Sequence, residues 1–415
     1  MLLKRAVVTG IGALTPLALT IEETWQKLVA GKSGIGEITL FDASDHKTKI
    51  AGEVKGFDPL DFMDTKEARH MDRFCHLAMA AAAEAVKDAE LEKMPKLDIE
   101  RVAVIVGSGI GGMTTFTAEA NKLFERGPSR ISPFFIPMMI SDMAAGQISM
   151  RYGFRGPNYA TTSACASSAN ALADAWRIIQ RGETDVVIAG GSEATVNALG
   201  IGGFNALKAL STRNDEPEKA SRPFDKERNG FVMGEGSGIL VVESLEHAQS
   251  RGAKIYGELA GAGLSADAFH ITMPAPEGYG AQLAMKRCME NAGVHPEEVQ
   301  YINAHGTSTP ANDKNESIAI RKVFGKHADK LAVNSTKSML GHLLGASGAI
   351  EAAVILLSMR DGILHPTVNQ EFADPDCDLD YVPNKSRKQD INISITNSFG
   401  FGGHNACLCL RRFEK

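Results

Sequence analysis

A chain of 415 residues, 44% hydrophobic and 23% charged, is long enough to bury one large core or two fused ones and has no bias toward disorder. Its 44 basic and 50 acidic side chains leave a net charge of -6, which argues against a general nucleic-acid binder while leaving room for a local basic patch. The six cysteines (Cys75, Cys165, Cys288, Cys377, Cys407, Cys409) lack the spacing of a disulfide framework or of a zinc-binding CxxC pair, so a reducing, cytoplasmic setting is expected. Lys4 and Arg5 precede only a short apolar run and then Gly10 and Gly12, a strand and turn rather than a signal peptide. The longest uncharged stretch, Gly156 to Ala173, is too rich in Asn, Thr and Ser to span a membrane.

Along the chain, β-branched runs ending in glycine alternate with helical patterns. Ala6 to Thr9 reads as a buried strand, Leu77 to Ala89 as a helix, and Val102 to Val106 as a second strand. Gly107, Gly109 and Gly112 then match the GxGxxG spacing of a dinucleotide-binding loop. Phe116, Phe124, Pro128 and Pro133 follow instead of a compact helix and a second strand, so the turn is read as structural, lining some other pocket. Ala169 to Gln180 places Ala169, Leu172, Ala173, Trp176 and Ile179 on one helical face, and strands follow at Val186 to Ala189 and Gly238 to Val242. The charged segment Thr212 to Asn229 reads as a surface excursion. Beyond the polar stretch Glu246 to Lys254 come helices near Ala281 to Ala292 and Ala346 to Met359, with strands at Tyr301 to Ala304, Leu331 to Asn334 and Ile391 to Thr396. Two α/β halves of unequal length are expected.

Cys165 lies in Thr161-Thr162-Ser163-Ala164-Cys165-Ala166-Ser167-Ser168, between an extended segment and the start of a helix, with only small neighbours. A thiol there meets unpaired N–H groups and the positive end of the helix dipole, which favour thiolate by roughly 0.3 to 1 kcal/mol and can hold an oxyanion. The other cysteines read as small buried residues. His305, in Asn303-Ala304-His305-Gly306-Thr307-Ser308-Thr309, and His342, in Lys337-Ser338-Met339-Leu340-Gly341-His342-Leu343-Leu344-Gly345-Ala346, both stand in glycine-rich turns expected to follow strands. With a nucleophilic cysteine elsewhere, the pair suggests a converging site.

These three segments, together with Val7-Val8-Thr9-Gly10-Ile11-Gly12 and Asn397-Ser398-Phe399-Gly400-Phe401-Gly402-Gly403, resemble the β-ketoacyl-acyl-carrier-protein synthases in identity, order and spacing, over essentially the whole chain. The resemblance implies a thiolase fold: two pseudo-repeated α/β halves stacked as five layers, the first (1–253) carrying the nucleophile and the second (254–415) both histidines. It also implies a homodimer that works on acyl and malonyl groups carried by the phosphopantetheine arm of acyl carrier protein, with no cofactor. Cys165 would accept the acyl group, and His305 and His342 would donate hydrogen bonds to the malonyl thioester oxygen during decarboxylation. Lys337, paired with Glu351, would orient and bias His342. Thr307 and Thr309 would contact the pantetheine arm, and Phe401 would gate the nucleophile.

Ile110 corresponds to an isoleucine bordering the acyl pocket of the type II elongating enzymes, with Phe134, Phe135 and Phe204 continuing that wall. Lys66, Arg69, Arg126, Arg130 and Lys208 match carrier contact stretches, and Asn303, Glu351 and Asn397 are candidate neighbours of a structural cation. A polyketide-type ketosynthase or a type I elongating synthase performs similar chemistry. A thiolase acting on coenzyme A thioesters would pair its nucleophile with a second cysteine and one histidine, and a noncatalytic chain-length partner would lack the nucleophile.

Overall fold

The computed structural model describes residues 3–94 and 96–414. Its main strands are β1 (Ala6–Leu14), β2 (Val102–Gly107), β3 (Asn158–Tyr159), β4 (Val186–Glu193) and β5 (Gly236–Ser244), then β6 (Gly257–Ala266), β7 (Tyr301–Asn303), β8 (Ala332–Asn334), β9 (Ile393–Gly400) and β10 (His404–Arg411). They hydrogen-bond in the order β8-β7-β9-β10-β6-β1-β5-β4-β2-β3. That order is a repeat, because β1-β5-β4-β2-β3 and β6-β10-β9-β7-β8 run outward from the β1/β6 seam in the same sequence. Strand directions repeat as well: β4 and β9 lie parallel to β2 and β7, and antiparallel to β5 and β10. At the seam Ala6, Val7 and Val8 pair antiparallel with Leu259, Glu258 and Gly257.

Six helices follow the same duplication: α1 (Arg73–Asp88), α2 (Met113–Arg126) and α3 (Ser167–Gln180), then α4 (Tyr279–Ala292), α5 (Pro310–Phe324) and α6 (Ser347–Asp361). Three apolar clusters define the layers. One, from Phe74 to Val86 of α1, packs on the outer face of the first five-stranded half; another, holding Ala284, Cys288 and Ile320 of α4 and α5, covers the outer face of the second; the largest unites α3 and α6 between the two halves. The result is the thiolase-type stack of helix, sheet, helix pair, sheet, helix. Its central layer explains a departure from the expected one-sided helix: α3 buries Ala171, Ala175 and Ile178 besides the predicted face, because it meets protein on nearly every side.

Three other expectations change. Gly10 and Gly12 do not end the first strand; they lie within it, and a Cβ at either would come within 2.3 or 2.1 Å of the α1 carbonyls of Ala85 and Ala81. Glycine here permits close packing of a helix on a strand. The glycine turn after β2 is followed by a compact helix, the 14-residue α2, contrary to the sequence reading. Thr212 to Asn229 is not wholly a surface excursion: Arg222, Phe224, Asp225 and Arg228 are buried, and their charges are met by Arg222–Asp225 at 2.9 Å and by Arg228 against Asp313 at 3.6 Å and Asp374 at 2.5 Å.

Candidate functional site

Cys165 sits on a sharp turn between β3 and α3. Ala164, with φ at +51°, reverses the chain, and a net of hydroxyls holds it there. Ser167 Oγ donates to Ala164 O at 2.6 Å and accepts from Ser163 N at 3.0 Å, while Asn170 Nδ2 donates to Ser163 Oγ at 2.8 Å. Only small side chains fit so tight a turn, which is why the run Ser-Ala-Cys-Ala-Ser-Ser was informative.

His305 follows β7 directly. Its N–H and that of Gly306 donate to the two oxygens of Glu316 on α5, each at 2.8 Å. His342 follows a short helix, Lys337–Leu340, rather than a strand as expected. Its N–H donates to Val232 O at 2.7 Å and its carbonyl accepts from Gly234 N at 2.8 Å, so its backbone is tied to the first half of the chain. On its ring, Nδ1 accepts from the N–H of Leu344 at 3.3 Å and lies 3.1 Å from Ser347 Oγ. With Nδ1 accepting, the proton resides on Nε2.

Cys165, His305, His342, Thr307, Thr309 and Phe401 all line one cavity of about 400 Å³. The two imidazoles stand edge to face, 5.3 Å between centroids and 84° between planes, with Phe399 beside His305 and Phe231 beside His342 at 5.5 and 5.3 Å. The Thr307 and Thr309 hydroxyls lie 3.0 Å apart on its wall. Phe401 packs 6.2 Å from Phe204, on a loop where Gly402 and Gly403 take φ of +85° and +75°, conformations a side chain would strain.

Burial pushes the Cys165 thiol up to about 12, opposed by the charge of Lys337 and by the N–H groups of Phe401 and Cys165 itself, and reinforced by Glu193. The helix start therefore does not yield a resting thiolate; desolvation outweighs the dipole at this depth. Burial also drives both histidines far below the usual imidazole range, Lys337 adding to the effect on each and His342 adding further on His305. Both rings are neutral donors at physiological pH. Lys337 Nζ is paired with Glu351 in the interior.

Other predicted residues fall elsewhere. Ile110 is 40% exposed and, with Phe134 and Phe135, lies off the cavity of the single chain, whereas Phe204 is on its wall. Lys66, Arg69, Arg126 and Arg130 are exposed away from the cavity lining, and Lys208 is exposed on its rim. Asn303 Oδ1, Asn397 Oδ1 and Glu351 Oε2 are buried without hydrogen-bond partners among the described residues, the kind of oxygen a hard cation takes. Sequence reasoning overlooked two buried carboxylates, Glu316 and Glu193. Burial raises Glu316 to about 7 despite its amide partners. A lone acid among small residues, as in Gly190-Gly191-Ser192-Glu193-Ala194, was the available signal. The GxGxxG amides are taken by Glu193, at 2.8 Å from Gly109 N and 3.2 Å from Ile110 N, leaving no cradle for a pyrophosphate.

A thiolase-type stack with one cysteine and two neutral imidazoles around a narrow cavity defines a ketosynthase, a condensing acyltransferase. Comparison with known proteins agrees: residues 4–248 match the beta-ketoacyl synthase N-terminal domain and residues 256–371 its C-terminal domain. The chain belongs to the beta-ketoacyl synthase family. It is 51% identical to 3-oxoacyl-[acyl-carrier-protein] synthase 2 of Synechocystis sp. and 52% identical to that of Staphylococcus aureus (strain COL), each over 411 residues and 99% of both chains. Among solved structures, a type II polyketide ketosynthase in complex with its acyl-carrier protein is 34% identical, with a TM-score of 0.92 over 99% of this chain and 100% of that one.

Proposed function

We propose that Cys165, His305 and His342 divide the reaction of this fatty acid elongation enzyme between acyl transfer and decarboxylation. The chain catalyses the condensation of a malonyl group with an acyl group, both carried by acyl carrier protein. The observation that carries the division of roles is the meeting, in one cavity, of a buried thiol and two imidazoles held neutral.

In the first half-reaction Cys165 Sγ attacks the acyl thioester. The carbon–sulfur bond to the carrier arm breaks, and the thiol proton ends on the departing arm. The N–H groups of Cys165 and Phe401, which favour negative charge on the sulfur, are read as the pair that receives the oxyanion. In the second, the malonyl carbon–carbon bond breaks, carbon dioxide leaves, and the electron pair forms an enolate whose oxygen meets the donors of His305 and His342. That enolate attacks the acyl carbon, the bond to Cys165 breaks, and the thiolate takes a proton from solvent. One histidine acting as general base would suit proton abstraction; two neutral donors suit decarboxylation. Thr307 and Thr309 are read as pantetheine contacts, Phe401 as the gate beside the sulfur, and Lys337 with Glu351 as the pair that biases both rings. A monovalent cation held by Asn303, Asn397 and Glu351 would neutralise the unpartnered Glu351 oxygen.

We take the division of the chain to fall at residues 253 and 254, between β5 and β6, and the working unit to be a cytoplasmic homodimer. Strand β3 forms an edge of the sheet with Tyr159 37% exposed, and Phe124 on α2 is 84% exposed, features a second copy would cover. Among the described residues no helix is long and apolar enough to cross a membrane. Ile110 and the basic residues Lys66, Arg69, Arg126, Arg130 and Lys208 are assigned to the acyl pocket border and the acidic carrier respectively. A condensation assay with malonyl-carrier and acyl-carriers of graded length tests the reading. Chain extension by two carbons supports it, and exclusive use of coenzyme A thioesters overturns it.

A further inference from the structure

The internal repeat fixes what occupies the counterpart of the nucleophile. Before α3, Ala164 at φ +51° turns the chain into Cys165; before α6, Leu344 at φ +47° turns it into Gly345. By strand order β4, ending at Glu193, corresponds to β9, followed by Phe401, and the glycine loop after β2 corresponds to the His305 loop after β7. At the counterpart of the nucleophile turn the N–H groups of Gly345 and Gly109 instead meet one oxygen of Glu193, at 3.0 and 2.8 Å. Ser108 Oγ and Ile110 N–H meet the other oxygen at 3.0 and 3.2 Å. Glu193 is fully buried. A Cβ on Gly345 would fall 2.5 Å from Gly109 N and 2.7 Å from the Glu193 oxygen, so the counterpart position has no room for a nucleophile.

This buried carboxyl group, which accepts from four donors, holds the peptide next to the one that supports a histidine. Gly345 follows Leu344, whose N–H is the donor to His342 Nδ1. We propose that Glu193 is a positioning residue for decarboxylation: by clamping Gly345 to the Gly109–Ile110 turn it keeps the Leu344 N–H on His342, and so keeps the opposite nitrogen a donor. The inference rests on the reading of His342 as a hydrogen-bond donor to the malonyl thioester.

The test separates the half-reactions in Glu193→Gln and Glu193→Ala. Glutamine keeps the shape but turns an NH₂ toward N–H groups. We expect the kcat for malonyl-carrier decarboxylation to fall about tenfold or more, within the roughly hundredfold loss that a small misplacement produces, with KM within about twofold of wild type and acyl transfer to Cys165 undiminished. In Glu193→Ala, formate should restore part of the lost decarboxylation and the uncharged formamide should not. Equal losses in both half-reactions, an unaffected glutamine variant, or rescue by both additives would overturn the proposal. Should the alanine variant not fold, the kinetic split in the glutamine variant decides alone. Absence of decarboxylation in the wild type would refute the reading of the site instead.

Discussion

Lys337 Nζ donates to Glu351 in an ion pair whose side chains are each only 2% exposed. The charge of Lys337 reaches all three reactive groups: it lowers Cys165 and lowers both histidines. A single buried cation thus favours the thiolate and disfavours imidazolium at once, which is the combination the two half-reactions require.

Removing that cation has effects that can be separated. Lys337→Met leaves Glu351 buried without its partner and should lose about 3 to 5 kcal/mol of stability in denaturant titration. The double variant Lys337→Met/Glu351→Leu should recover most of that loss while keeping a reduced but measurable decarboxylation. In the double variant the imidazoles, released from the lysine's repulsion, rise toward their ordinary range. Decarboxylation needs them neutral, so the acid limb of its pH profile should move to higher pH. An unmoved limb would show that burial alone sets the histidines.

For Cys165, substitution by serine should abolish transfer of a radiolabelled acyl group from carrier to protein, because a hydroxyl is a far weaker nucleophile than the thiol and has no adjacent base to activate it. The fold should survive, since serine matches the small neighbours that the Ala164 turn demands. Normal labelling of Cys165→Ser would remove the nucleophile assignment.

What the sequence made legible follows from which forces are local. Runs such as Val186 to Ala189 announce strands because burial on both faces demands continuous apolar side chains, and the cysteine turn announces itself by steric need for small residues. Strands β6 and β10 were missed; in β6 Gly257, Gly261 and Gly263 mimic a loop, yet two of them admit α4, with a Cβ at Gly263 falling 2.0 Å from Ala284 O. The buried half of Thr212 to Asn229 was illegible for another reason. Its arginines are polar in any local window; Arg222 has a local partner in Asp225, but only the distant Asp313 and Asp374 make the burial of Arg228 tolerable. Glu193 and Glu316 were overlooked likewise, since their partners are mostly backbone amides, which carry no sequence signature, with one distant side chain each, Ser108 and Asn397.

Arg228 illustrates the consequence. It donates to Thr309 O at 3.3 Å and Pro310 O at 3.2 Å as well as pairing with Asp313 and Asp374, so it props the loop that bears Thr307 and Thr309. Arg228→Met should cost about 3 to 5 kcal/mol and raise the KM for carrier substrates more than it lowers kcat. Burial works to raise Asp374, but Arg228 and the Asp376 N–H outweigh it and hold the carboxyl below its ordinary value. A depressed carboxylate stabilises the fold above its unfolded value of about 3.9 and loses that contribution as pH falls through the folded value. Urea titrations from pH 5 downward should therefore show a smaller acid-dependent loss in the variant than in the wild type.

The two histidines are not interchangeable donors. His342 has its tautomer set by the Leu344 N–H on Nδ1, whereas His305 Nδ1 is buried with no partner among the described residues. At position 342 the donor is consequently the distal nitrogen, which the side-chain amide of glutamine reproduces and that of asparagine, one bond shorter, does not. His342→Gln should retain more malonyl-carrier decarboxylation than His342→Asn, and His342→Ala or His305→Ala should each lose on the order of 10² to 10³, the cost of one oxyanion donor. Acyl transfer to Cys165 should persist in all four variants, because that step draws on the N–H groups of Cys165 and Phe401. Carbon dioxide release measured beside acyl labelling checks both halves of the argument: undiminished release from His305→Ala, or loss of acylation in step with decarboxylation, would contradict the division of labour between sulfur and imidazoles.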